Sequence, residues 1–255
     1  AQTYLDKIPK ESPHRGGAEL KTGQAMWSNF LRGAKEVRKW EAGEEEPPAG
    51  TNIEKKKKEL EELKTRAQKT LVDGVARMQK SGEVNATVAT SALSLAQIHV
   101  DTNESAKAIA LLEDPKIGAL TLLNAKSEIM AKPGLAEETY KTALRAYISS
   151  LATGKTADAD KTVKKADDIM NGLKASVGAT EEGQKKLIST YVGIAKDLQT
   201  QMENSPPAIR VALGKGFENF LKRVGEDAKE LNVLNWVGET FRAMGQPSTY
   251  GTYCH

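Results

Sequence analysis

The residues of this chain that could do chemistry are few, and their spacing does not favour a catalytic or metal site. Histidine occurs only at His14, His99 and His255, and the one cysteine, Cys254, precedes the last of them. Structural zinc usually takes four ligands, and a nucleophile needs a neighbouring base that a third group orients. No such set has support in the sequence. We therefore predict a non-enzymatic protein with no catalytic residue, no metal site and no cofactor.

The segment Gly154–Thr156 (Gly-Lys-Thr) is similar to the end of a phosphate-binding loop. A true loop of that kind has a further glycine five residues earlier and follows a strand. Here position 149 is Ser149, and the residues before it have a helical pattern. We therefore interpret this segment as a turn between two helices.

Composition narrows the class of protein. Hydrophobic residues make up 39% of the chain, charged residues 28% and aromatic residues 5%, and 37 basic against 34 acidic residues give a net charge of +3. Few aromatic residues among many Ala, Leu, Lys and Glu favour helices over sheets. Near charge balance gives no reason to expect nucleic acid as a partner. No apolar run approaches the length of about 18 residues that spans a membrane, so no membrane insertion is predicted.

Apolar residues recur every three or four positions through most of the chain, which predicts helices. One long helix follows the Ser12-Pro13 cap, and a second begins near Ile53. These two define a predicted N-terminal hairpin, residues 1–82, with a polar, proline-rich mobile loop at 42–52. Shorter helices are predicted from residue 92 to about residue 244, and no alternating strand pattern occurs. The predicted fold class is all-α.

Similar helical pairs recur within residues 83–255. The first two units combine a pair of one large and one small residue with an aromatic or histidine one turn later and with small residues in the partner helix. The third unit matches the first half only. The residues that form the pattern are, in the first unit, Leu95-Ala96, His99, Ala108 and Leu112; in the second, Tyr140, Ala143-Leu144, Tyr147, Ala159, Val163 and Ala166; and in the third, Val237-Gly238, Phe241 and Gly245. This order resembles the tetratricopeptide repeat (TPR) in a divergent form. The resemblance implies antiparallel hairpins stacked in a right-handed solenoid.

Two features depart from that family. Pro115 and Leu144 stand where small residues are expected, and the units recur about every 47 residues instead of about every 34. The longer period is typical of HEAT and armadillo repeats. Another helical repeat and a plain helical bundle therefore remain open alternatives.

In the family that this chain resembles, the first helix of each hairpin lines a concave groove that binds a peptide or a partner helix. Carried over by position, the residues that face the groove are Gln97, Asp101, Lys141, Arg145, Asn232, Asn235, Glu239 and Arg242. Asn235 is the foremost candidate because a carboxamide both donates to and accepts from a peptide backbone.

The resemblance thus implies a protein–protein interaction or scaffold module. The alternative is a structural subunit packed permanently in a large assembly. Incomplete units at both ends predict self-association, or continuation into a longer chain. The opening segment, residues 4–20, is similar to loops of bacterial envelope TPR proteins, which favours the periplasm slightly over the cytoplasm.

Overall fold

The structure, a computed structural model, describes residues 5–153, 159–178, 180–203, 207–227 and 231–243. Within these residues the chain is all-helical, with no strand, and the all-α prediction is confirmed. A 3-10 turn covers Glu128–Met130. The ten α-helices are α1 (Arg15–Glu41), α2 (Ile53–Ser81), α3 (Ala86–Asp101), α4 (Ser105–Leu112), α5 (Ala119–Asn124), α6 (Leu135–Thr153), α7 (Ala159–Val177), α8 (Glu181–Glu203), α9 (Pro207–Asp227) and α10 (Leu231–Ala243).

The chain divides into two compact units. Unit 1 comprises Ala1–Thr102 and Ala110–Lys132, and unit 2 comprises Asn103–Ile109 and Pro133–His255. The predicted hairpin of residues 1–82 therefore lies in unit 1 together with α3, which packs against both α1 and α2. None of the described helices combines the length and the apolar character that crossing a membrane requires.

The long helices α1 and α2 form an antiparallel pair whose backbones approach closely at glycines. A Cβ added to Gly23 would lie 2.6 Å from Leu71 Cγ, and one added to Gly74 would lie 2.8 Å from Leu20 Cδ2. At these contacts a glycine of one helix lies opposite a leucine of the other, and the leucine side chain fills the space that the missing Cβ atom leaves. We refer to this α1–α2 contact as the glycine seam. Seam positions on α1 alternate in steps of four and three residues, the spacing of an a/d coiled-coil stripe: Gly16, Leu20, Gly23, Trp27, Phe30, Ala34 and Val37.

Helix α3 lies on this pair and is fixed to α1 by side-chain hydrogen bonds. Trp27 Nε1 donates to Gln97 Oε1 at 2.9 Å, and Gln24 Nε2 donates to Thr90 Oγ1 at 2.8 Å. The apolar side of α3 joins the core of unit 1. The sequence predicted instead that α3 pairs with the following helix through Ala96. The long α1–α2 surface offers more apolar area, and α3 packs there.

Glu19 links the segment that precedes α1 to the hairpin. Its carboxylate, only 4% exposed, accepts from Arg15 Nε at 2.7 Å and from Arg77 Nε at 2.9 Å. Arg15 also donates to the carbonyl oxygens of Leu5 and Ile8 at 2.5 and 2.6 Å. The buried carboxylate of Glu19 therefore orients two guanidinium groups. One of them, that of Arg15, donates to backbone carbonyl groups in the segment before α1.

In unit 2, the four helices α6 to α9 pack in a ring. Each packs against the next along the chain, and α9 packs back against α6. Tyr140, near the start of α6, covers Gly172, near the end of α7, so these two helices are antiparallel. Tyr191 of α8 meets Phe220 of α9 edge-on, with ring centroids 5.7 Å apart. In a solenoid each hairpin contacts only its neighbours, so the return of α9 to α6 does not confirm the predicted solenoid.

Candidate partner-binding groove

Helices α8 and α10 border a groove in unit 2. Both helices pack against α9, which sets them side by side. Helix α10 is held by the fully buried Val237 and Phe241, and α8 by its stripe of Leu187, Tyr191, Ile194 and Leu198. The groove encloses about 400 Å³ and is lined by Lys185, Ile188, Ser189, Val192, Lys196, Val233 and Trp236. We refer to it as the α8–α10 groove.

The lining residues of α8 share one side of that helix, because they recur at intervals of three and four residues. The floor is apolar. Ile188 is buried, whereas Val192, Val233 and Trp236 are half-buried and keep part of their apolar surface in contact with solvent. Half-exposed aromatic and aliphatic side chains in a concave surface are typical of ligand and partner sites.

Lysines stand at both ends of the α8 side of the groove. Lys185 and Lys196 are eleven residues apart, which is about 16 Å along a helix. Lys185 Nζ contacts Glu181 Oε1 at 2.7 Å, and both side chains are mostly exposed. Among the described residues that line the groove, the charged ones are these two cations. The groove therefore has an apolar floor between two lysines.

A polar cluster joins α6 to α8. Glu137 Oε2 contacts Lys186 Nζ at 2.6 Å, Glu137 Oε1 contacts Lys141 Nζ at 3.2 Å, and Thr190 Oγ1 lies 3.3 Å from Glu137 Oε1. Burial alone would raise the pKa of Glu137, but hydrogen bonds from Lys186 and Lys141 outweigh it and hold that pKa below its ordinary value. Burial would lower the pKa of Lys141, but its acidic neighbours, Glu138 first, raise it above the ordinary value.

The structure distributes the sequence-predicted partner residues over both units. In unit 1, the side-chain oxygen of Gln97 accepts a hydrogen bond from the Trp27 indole. Asp101 is exposed and lines a separate groove of about 340 Å³ beside Phe30. In unit 2, Lys141 is paired with Glu137 and Glu138, and Arg145 lies half-buried one turn further along α6.

The other four predicted residues belong to α10. Asn235 is exposed and precedes Trp236, whereas Glu239 and Arg242 are exposed and pair with each other at 2.7 Å. The side chain of Asn232 lies outside the described residues. Residues Gly154–Thr156 and Cys254-His255 lie outside them as well. Helix α10 borders the α8–α10 groove through Val233 and Trp236, which are not among the predicted residues.

Sequence reasoning missed the groove residues themselves. The helical spacing of Trp236 on an apolar face predicts a core position, and nothing in the pattern singles out Ile188 or Val192. A usable signal existed, since α8 carries apolar residues at 187, 188, 191, 192, 194 and 198. That set is wider than one core-facing stripe requires, and the excess forms the floor of the groove.

Two further grooves lie in unit 1. One, of about 450 Å³, is bordered by the segment before α1 and the start of α3. The other is the groove beside Phe30, where Lys57 pairs with Glu41 and Glu54. Across the described residues, no group of three or more His, Cys, Asp or Glu side chains could hold a metal ion.

In comparisons with family models, with curated proteins and with solved structures, no match to this chain is found. The resemblance to the TPR family accordingly stays a prediction from the sequence.

Proposed function

We propose that this chain is a non-enzymatic protein-interaction module and that a segment of a partner protein binds in the α8–α10 groove. The observation that carries this proposal is the half-buried Trp236, which borders a groove of about 400 Å³ with Val192 and Val233. A few residues supply most of the binding energy in protein interfaces, and tryptophan is among the types most enriched there. Asn235, Glu239 and Arg242 lie on the same helix but are not among the residues that line the groove.

The finer proposal, a divergent TPR-like module, has mixed support. The antiparallel pair α6–α7, with Tyr140 of α6 packed on Gly172 of α7, is the kind of hairpin that the repeat implies. The packing of α9 against α6 is more typical of a closed bundle. Binding in the α8–α10 groove does not depend on which description holds, because the groove is bordered by helices that both pack on α9.

The test is a peptide-display selection on the wild-type chain, followed by affinity measurements on variants of the groove. Val192→Lys places a charge on the apolar floor. Val211→Lys makes the same substitution on α9, at a residue that is 68% exposed and is not part of the groove. We expect selected peptides to lose at least about tenfold in affinity with V192K and to bind V211K as they bind wild type.

Circular dichroism of both variants verifies that they are folded. Selected peptides that bind V192K as tightly as wild type would contradict the proposal, and so would a selection that yields no binder.

A structural subunit is the second candidate, and a specific observation favours it. Val211 of α9 and Leu231 of α10 are about two-thirds exposed, at 68% and 71%, and a permanent neighbour would cover them. Light scattering after size-exclusion chromatography separates the two candidates. A concentration-independent oligomer that V211K dissociates supports the structural subunit, whereas a monomer supports the interaction module. A concentration-dependent oligomer would match the predicted self-association.

A further inference from the structure

We infer that residues 5–14, the segment before α1, form an exchangeable strap. The strap occupies a peptide-binding site on the α1–α2 hairpin, and the same segment of a second copy of this chain can take its place. The site lies in unit 1, so the inference goes beyond the proposed function and does not depend on the α8–α10 groove. Three features of unit 1 support it, namely the contacts of the strap, the groups that orient the site and the connection between strap and α1.

The contacts of the strap are of the kind that a bound peptide makes. Arg15 Nη1 donates to the carbonyl oxygens of Leu5 and Ile8 at 2.5 and 2.6 Å, and Arg77 Nη1 donates to the carbonyl oxygen of Lys10 at 2.9 Å. The side chain of Leu5 is 3% exposed. In peptide recognition, main-chain hydrogen bonds supply affinity and a pocket for a side chain supplies specificity. These contacts do not require the strap to belong to the same chain as the site.

The site is oriented by groups that belong to the hairpin and not to the strap. The Glu19 carboxylate, 4% exposed, accepts from Arg15 Nε at 2.7 Å and from Arg77 Nε at 2.9 Å. The glycine seam packs α1 against α2 through Gly23 and Gly74. Because none of these contacts involves the strap, both guanidinium groups stay oriented when the strap leaves. A site that is preorganised in this way loses less conformational freedom when a peptide binds.

The connection between the strap and α1 is open to solvent. Residues 9–14 contain no helix, and all of them are exposed except the half-buried Ser12. The backbone hydrogen bonds of this connection form local turns, from Ser12 N to the Pro9 oxygen and from Arg15 N to the Ser12 oxygen. Opening these turns frees the strap, and the exchange of identical elements between copies is a low-cost route to dimers. Because a short connection gives the strap a millimolar effective concentration at its own site, exchange is expected at high protein concentration.

The first test weakens the strap without touching the site. Leu5→Ser in the full chain removes the buried side chain of the strap and leaves Arg15, Glu19 and Arg77 in place. The probe is a fluorescent synthetic peptide of residues 5–13, Leu-Asp-Lys-Ile-Pro-Lys-Glu-Ser-Pro, and its affinity is measured by fluorescence anisotropy. We expect it to bind L5S at least about tenfold more tightly than wild type, because the weakened strap competes less.

Two controls show which contacts matter. Lys10→Ser changes an exposed side chain of the strap and keeps the carbonyl group that accepts from Arg77, so K10S should bind the peptide as wild type does. A peptide with serine in place of its leucine should bind L5S at least about tenfold more weakly than the original peptide. Circular dichroism verifies that each variant is folded. Equal affinity of the original peptide for L5S and wild type, the absence of binding to either, or a gain in K10S as large as in L5S would overturn the inference.

The second test measures exchange between copies. Light scattering of the wild-type chain up to millimolar concentration should show a concentration-dependent dimer that L5S abolishes and V211K retains. A wild-type chain that stays monomeric, or a dimer that L5S does not dissociate, would contradict exchange between copies. The variant V192K separates this inference from the proposed function. It should bind the residue 5–13 peptide as wild type does, whereas loss of that binding in V192K would place the peptide in the α8–α10 groove and overturn the exchangeable strap.

Discussion

The two units contain the same polar arrangement in different surroundings. In unit 1, Glu19 lies between Arg15, four residues away on its own helix, and Arg77 of the neighbouring helix. In unit 2, Glu137 lies between Lys141, also four residues away, and Lys186 of another helix. Each carboxylate therefore joins two helices through two cations. The difference lies in burial and in the type of cation.

The two clusters differ in how far their side chains are exposed and in whether the cations are arginine or lysine. Glu19 is 4% exposed, and the planar guanidinium of Arg15 reaches the carboxylate and two backbone carbonyls together. Lys186 is 56% exposed, and its ammonium is a compact point charge. A buried charge that loses its partner is costly, whereas an exposed pair is screened by solvent. The comparison teaches that the Glu19 cluster is the more buried of the two: Glu19, Arg15 and Arg77 are 4%, 12% and 41% exposed, against 14%, 29% and 56% for Glu137, Lys141 and Lys186.

The largest expected effect is that of Glu19→Ala. Removal of the carboxylate leaves two guanidinium groups without their counter-charge and releases the segment from Leu5 to Lys10. We expect the free energy of unfolding to fall by about 3–5 kcal/mol. Urea denaturation followed by circular dichroism measures this, and hydrogen exchange assigns the loss to α1 and α2. Glu54→Ala, at a side chain that is 84% exposed, serves as the control and should leave the midpoint unchanged.

The glycine seam gives the next largest effect. In Gly23→Ala, the new Cβ would lie 2.6 Å from Leu71 Cγ and 3.2 Å from the Leu71 backbone nitrogen, so the two helices must separate. We expect a loss of about 1–3 kcal/mol. Gly17→Ala on the same helix meets no atom within 4 Å and should instead raise stability by about 0.5–1 kcal/mol. Equal shifts in the two denaturation midpoints would mean that the seam is not tightly packed.

Gln97 distinguishes a structural role from a partner-binding role. In Gln97→Ala, the buried Trp27 indole N–H loses its acceptor, which we expect to cost about 1–2 kcal/mol. A double-mutant cycle with Trp27→Phe isolates the hydrogen bond, because phenylalanine has no donor. Additive effects of the two substitutions would show that the hydrogen bond does not stabilise unit 1.

The smallest effect is expected at Glu137. Its pKa in the folded protein lies below the ordinary value of 4.5, so its contribution is present above that value and is lost as the pH falls through the lowered pKa. Glu137→Gln should cost about 0.5–1 kcal/mol at pH 7, because Lys186 is more than half exposed. It should also flatten the loss of stability below pH 4.5. An unchanged pH profile relative to wild type, measured by denaturation at several pH values, would refute the assignment.

Local sequence signals predicted most helices and several of their ends. The N-terminal hairpin was predicted to end at residue 82, and Gly82 ends α2 with a φ of +72°. The helix was predicted to follow the Ser12-Pro13 cap, and α1 begins at Arg15, where Ser12 Oγ accepts from His14 N at 3.3 Å just before the first turn. Asn52 and Asn85 cap α2 and α3 by accepting from Lys55 N and Val88 N. Neither was predicted, although both have the residue type that caps favour.

Packing partners were less predictable than helices. The apolar face of α3 is visible in the sequence, but any helix with a complementary face satisfies it equally well. The glycines at 16, 23, 33 and 74 suit a close backbone approach, yet their spacing does not name the helix that approaches. Likewise, the excess apolar width of α8 is visible, but whether Val192 faces a core or a groove depends on how near α10 lies.

The sequence alone therefore determined that this protein is helical, where several of its helices end, and which side of most of them is apolar, because these depend on residues a few positions apart. The tertiary structure decided that Gln97 holds Trp27, that Glu19 and Glu137 each join two helices, and that Trp236 borders a groove. Those outcomes depend on contacts between residues far apart in the chain. Local periodicity is the same whichever distant residue fills the contact.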